Sequence, residues 1–198
     1  VEYTEPSRRP LGRPRTFDAG LVAVTAASLF DQRGYAAVTM TEIAQAAGVS
    51  RRAMFNHFPS KPHLLWSGFE PYLENLRTRL AAAPADEPLG TAVARCLAQA
   101  FDGPASVDRD LARSRMRIVA NHPETFEVGQ PVMTAMREVL SEHLRTRHQP
   151  RLAEFEAECL ASAVTAVAFD ATIRWATTSQ SLPRLLQHAV GALSKART

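Results

Sequence analysis

An all-α fold is predicted for this chain of 198 residues, and three observations predict it. Apolar residues recur at three- and four-residue spacings along almost the whole length, with no convincing period-two alternation of a strand. Short breaks rich in Gly, Pro, Asp and Ser, such as "APADEP", "DGPAS" and "NHPE", divide the helical runs. Cap residues stand where those runs begin and end. The length suffices for one or two small domains with a buried core.

Residues 1–15 are rich in Pro and Arg and read as an extended basic arm. Arg8, Arg9, Arg13 and Arg15 fall there without a neighbouring acid, and the net charge of +3 arises entirely within the first 61 residues. Such a local cationic excess is an electrostatic footprint for nucleic acid, or else a solvated tail. "Gly12-Arg13-Pro14" resembles the core of an AT-hook, which would set Arg13 in an A·T minor groove. A first helix is expected over about 18–33, with Leu21, Val22, Leu29 and Phe30 inward and Gly34 as its stop.

The next helix begins at Thr39. "TMTE" matches a capping box, with Glu42 reaching back to the cap. Ile43, Ala44 and Ala47 form its inner face. Gly48 ends it because the turn needs positive φ, Val49 plugs the turn, and Ser50 caps a third helix. Two short helices around a glycine turn are the helix-turn-helix pattern. The third helix then opens with Arg51 and Arg52, although a helix N-terminus disfavours cations. An external polyanion removes the conflict: in a major groove, Arg forks onto guanine O6 and N7 or holds phosphate. Asn56 and His57 lie within reach of the same groove. Phe55 and Phe58 are expected to pack inward, and Lys61 to reach the DNA backbone.

"VTMTEIAQAAGVSRRAMFNHFPSKPHLL" closely resembles the DNA-binding segment of TetR-family transcriptional regulators, over about residues 17–65. The resemblance implies an N-terminal three-helix helix-turn-helix DNA-binding domain over 16–61. Residues 62–198 would form a helical effector-binding and dimerisation domain. It also implies a homodimeric repressor on a double-stranded DNA operator, released by a small-molecule effector. Thr39, Arg51, Arg52, His57 and Lys61 fall on positions the family uses against DNA, and Ser50, Phe55 and Asn56 lie among them. Phe55 stands where the family has Tyr, so a phenolic hydroxyl that bonds phosphate is absent.

From Pro62 a long amphipathic helix is expected, with Leu65, Phe69, Tyr72, Leu76 and Leu80 as its stripe. Pro71 falls inside it and predicts a kink near "WSGFEP", read as a hinge between the two halves or a simple helix boundary. Helices follow over about 89–101, 107–121, 125–147, 151–178 and 183–196, the third of these split near Gly129. The resemblance implies that the last two pair with their copies in the dimer. Arg115 and Asp170 interrupt apolar stripes. They pair with each other or snorkel, or Arg115 faces an anionic effector. Trp66, Phe101, Met116, Phe126, Met133, Phe169 and Trp175 are the candidate apolar walls of the effector pocket, with Arg115 and Asp170 as its charges. A weaker resemblance, over "FPSKPHLLWSGFE" and "ARSRMRIVANHPE", is to regulators encoded with mycofactocin biosynthesis and their acyl-CoA-binding relatives. It implies a fatty acyl-CoA effector.

Other classes find little support. No Gly-rich phosphate loop, metal-ligand spacing or Glu-x-x-His pair is present, so no enzyme, cofactor or metal is expected. A helical protein-binding adaptor would not need arginines at the head of the third helix. Cys96 and Cys159 stand far apart and are expected as small core residues in a reducing cytoplasm. No apolar run near the ~18 residues of a membrane span is expected, and the N-terminus lacks the apolar stretch of a signal peptide.

Overall fold

The computed structural model describes residues 17–102, 108–147 and 152–195. Among them ten α-helices, joined by turns and 3-10 segments, make up the fold, and no strand occurs. They are α1 (Ala19–Arg33), α2 (Met40–Ala46), α3 (Arg51–His57), α4 (Lys61–Trp66) and α5 (Glu70–Ala81). There follow α6 (Leu89–Gln99), α7 (Arg109–Asn121), α8 (Gln130–Arg147), α9 (Glu154–Thr177) and α10 (Leu182–Lys195). The basic arm, including Arg13, lies outside the described residues.

Local chemistry sets the first three helices. Asp18 caps α1 by accepting from the Leu21 amide at 2.9 Å. The capping box of α2 forms as the sequence predicts, with the Thr39 amide donating to Glu42 at 2.8 Å and the Glu42 amide to the Thr39 hydroxyl at 3.3 Å. Ser50 caps α3 through the Ala53 amide at 3.1 Å. Gly48 takes φ of 67°, the left-handed turn that joins α2 to α3.

The long helix expected from Pro62 is broken rather than kinked. Ser67 is extended, Gly68 has φ of 73°, and α5 starts afresh at Glu70. Pro71 therefore occupies the first turn of α5, where its missing N–H has no helical partner to lose. The apolar stripe survives the break: Leu65, Phe69, Tyr72, Leu76 and Leu80 are all buried.

The core runs without interruption from Val22 in α1 to Val190 in α10. Helix α9 packs against α7, α8 and α10, and α10 closes on α6. Fully buried Leu97, Leu140, Leu144 and Leu186 fill the centre, each worth about 1.5–3 kcal/mol of burial. Three expectations fail at the surface. Leu21 is 46% exposed, because α1 packs on α2, α4 and α7 along Val22, Ala26 and Phe30 instead. Cys159 is exposed, on a face of α9 turned away from the core. Helix α9 is also long and apolar enough, by length and composition, to cross a membrane, against the expectation of no such run. Its inner face packs as a core helix.

Candidate nucleic-acid interface and effector cavity

Helix α3 is seven residues long and sharply divided. Met54 is fully buried and Phe58, just past its end, is 4% exposed; the helix packs on α2, and the Phe58 ring lies 6.1 Å from that of Phe17, just before α1. Arg51, Arg52, Phe55, Asn56 and His57 are all exposed. Arg52 and Asn56 make no hydrogen bond or ion pair among the described residues. Phe55 does not pack inward as expected; its ring faces solvent with the Arg51 guanidinium 5.6 Å from its centroid. The inner positions one residue before and three after it are already filled by Met54 and Phe58. His57 packs against Phe17, ring centroids 3.8 Å apart.

Two other residues expected at the DNA also make contacts within the protein. The Thr39 hydroxyl donates to Glu42 at 2.7 Å. Lys61 donates to the carbonyls of Tyr35 at 2.7 Å and Val38 at 3.0 Å, with its ammonium 4.3 Å from the Tyr35 ring centroid. It thereby ties α4 to the turn before α2, and burial pulls its pKa down. Arg33 pairs with Glu42 at 2.7 Å. Hydrogen bonds from Thr39, then from Arg33, hold the Glu42 carboxyl down at about 2.

A polar joint ties α1 and α4 to α7 and the segment after it. Ser114 donates to Asp31 at 2.7 Å, Trp66 Nε1 to the Thr125 carbonyl at 2.9 Å, and Arg115 to the Ser67 carbonyl at 2.8 Å. Tyr35 meets His122, ring centroids 4.8 Å apart. Burial, with the charge of Glu124, pushes the Tyr35 phenol up to about 12. Sequence reasoning missed this joint because its partners lie 83, 59 and 48 residues apart. Arg115 is 2% exposed and has no carboxylate partner among the described residues. Burial lowers its pKa to about 10, so it stays charged at neutral pH. The expected Arg115–Asp170 pair is absent, because Arg115 serves the open end of α4 while Asp170 stands exposed on α9.

The expected pocket walls divide between two spaces. An open bay of about 420 Å³ between α8 and α9 is lined by Phe126, Met133, Phe169 and Asp170, with Arg137 also on its lining. The Thr165 hydroxyl lies in this lining, buried and without a hydrogen-bond partner. Beside it a narrow apolar space of about 40 Å³ is bounded by Trp66, Phe101 and Met116. Met133 and Phe169 belong to both and separate them. Phe169 stacks on Trp66 at 6.2 Å, so the partition rests directly on α4. Arg115 and Trp175 line neither space; Trp175 lies under Arg113, which closes the end of α9 through the Thr178 carbonyl.

The model for bacterial regulatory proteins of the tetR family matches residues 23–66, and that for the MftR C-terminal domain matches residues 87–198. The chain belongs to the TetR family of transcriptional regulators. Members of this family bind DNA operators and small-molecule effectors and act as dimers, so this regulator is a ligand-responsive DNA-binding protein and not an enzyme. It is 26% identical over 170 residues to a Mycobacterium tuberculosis protein assigned as the mycofactocin biosynthesis transcriptional regulator MftR, covering 86% of this chain and 85% of that protein. The Thermus thermophilus repressor FadR, solved with lauroyl-CoA, is 25% identical, with a TM-score of 0.57 over 89% of this regulator and 93% of that chain. The Dietzia repressor AlkX, implicated in n-alkane biodegradation, shares the fold with a TM-score of 0.58 at 18% identity, over 92% and 97% of the two chains.

Proposed function

We propose that this regulator is a cytoplasmic repressor that leaves its operator when a small, largely apolar, acyl-CoA-like effector binds. The observation that carries the reading is the outer face of α3, where two arginines without ion-pair partners, Asn56 and His57 stand together on a helix anchored by Met54. Arg51, Arg52, Phe55, Asn56 and His57 enter the major groove. Thr39 and Ser50 lie at the flanking phosphates, Lys61 holds α4 in place behind them, and Arg13 of the arm adds minor-groove contact. The residues divide functionally as a basic arm over 1–15, a DNA-reading unit over 16–61, and an effector and dimer unit over 62–198.

The effector enters the bay between α8 and α9, with Thr165, Arg137 and Asp170 toward its polar end. Its apolar part displaces Met133 and Phe169 toward the narrow space. The bay lies within the ~300–1,000 Å³ of small-molecule sites, while the narrow space alone is far below it. Because Phe169 stacks on Trp66, that displacement moves α4 and hence the reading unit. Two copies pair through α9 and α10, which sets the two α3 helices about one DNA turn apart.

A gel shift on the DNA upstream of the regulator's own gene, at two salt concentrations, tests the first half. Binding that weakens steeply with salt is expected; no binding at low salt contradicts it. Thermal shift with fatty acids and acyl-CoAs of graded length tests the second. Stabilisation that grows with chain length is expected, and no stabilisation by any of them ends the acyl-CoA assignment.

A further inference from the structure

Phe55 is an apolar side chain in the middle of a charged face. It is 40% exposed, while Met54 and Phe58 on either side are buried. Among the described residues its ring stacks on no other ring; its one recorded neighbour of that kind is the Arg51 guanidinium, 5.6 Å away. The phenyl group has no donor or acceptor. It cannot hold a phosphate or read a hydrogen-bonding base edge. The major groove offers one apolar feature, the 5-methyl group of thymine. Arg51 and Phe55 are four residues apart and so lie on one side of α3. One helical turn spans about 5.4 Å and one base step about 3.4 Å, so the bases they meet are within about two steps of each other.

We infer that Phe55 reads the methyl group of a thymine lying within two base pairs of the base or phosphate that Arg51 holds, and that this methyl is a specificity determinant of each operator half-site. The inference rests on the DNA-binding reading above. The stacked guanidinium adds to it: packing against the ring restricts Arg51 to the same patch of groove.

The test begins by selecting bound sequences from a random duplex library with the full chain. Each thymine of the enriched half-site is then replaced by deoxyuridine, which removes the methyl and leaves every hydrogen-bonding group in place. The expected result is one position per half-site at which the unaltered protein loses about fourfold in affinity, the worth of one buried methyl group. Replacement in both half-sites multiplies the loss to about fifteenfold. Phe55→Ala binds the thymine and uracil operators equally, and Phe55→Leu keeps part of the gap. Equal binding of both operators by the unaltered protein overturns the inference and leaves the DNA reading standing. It also does so if Phe55→Ala weakens both, since the ring would then only support Arg51. Failure to enrich any sequence overturns both. The deoxyuridine series needs no variant, so it decides the matter even where Phe55→Ala fails to fold.

Discussion

Glu42 is held from both sides, by the Thr39 hydroxyl and by Arg33. Its pKa is depressed from 4.5 to about 2 in the folded protein. Its contribution is therefore present above pH 4.5 and is lost as pH falls from there through about 2. The side chain is exposed, so the effect is small and salt-sensitive. Melting temperature at low salt should fall between those pH values in the parent, and Glu42→Gln should flatten that part of the curve; identical curves contradict the assignment. Gly129 gives a steric prediction. A Cβ there would lie 2.5 Å from the Trp66 ring. Gly129→Ala should destabilise by about 1–3 kcal/mol, measured by denaturant unfolding, and an unchanged midpoint would show that the indole moves freely. Caps such as Thr39 and Ser50 were legible in the sequence because both partners sit within three residues. The outward turns of Phe55 and Leu21 were not, because apolar character alone does not tell which of two neighbouring positions the core accepts.

At the scale of elements, the break between α4 and α5 matters most. Pro71 signals it in the sequence, but Gly68 makes it and Arg115 holds it. A charged hydrogen bond contributes about 1.5–3 kcal/mol, while removing a buried ion without a counter-charge recovers its desolvation cost. Arg115→Met should therefore leave the melting temperature nearly unchanged and still speed amide exchange across residues 64–70 by about tenfold or more. Exchange at the parent rate would mean that the Ser67 carbonyl needs no clamp. Helix existence was legible almost throughout, since each amphipathic period is a local property. The clamp was not, because the stripe placed Arg115 in the core without saying which carbonyl, 48 residues away, it would meet.

For the whole molecule, the outward side of α9 and α10 is the unfinished surface. Phe155 is 75% exposed and Cys159 follows it on the outer side of α9. Gly191 lies inside α10 with nothing within 4 Å of where its Cβ would stand. A helix-interior glycine costs about 1 kcal/mol relative to alanine, and nothing among the described residues requires it. Close approach of a second copy, as proposed above, would account for it. The parent should run at twice its 21.7 kDa chain mass in light scattering, and Gly191→Glu should run as a folded monomer; a dimer unmoved by that change places the interface elsewhere. The family and its α3 face were legible from one contiguous segment. The division of the effector space by Met133 and Phe169 was not, because it depends on side chains from α8 and α9 meeting α4.

Operator binding, as proposed, depends on Arg51 and Arg52 facing duplex DNA. Its most direct test is operator affinity of the Arg51→Glu, Arg52→Glu double variant, with helicity and dimer mass checked alongside. With the fold intact, affinity should fall by at least about a hundredfold, since two favourable charges become two repulsive ones at the phosphates. Parent-like affinity in a folded double variant would contradict the account.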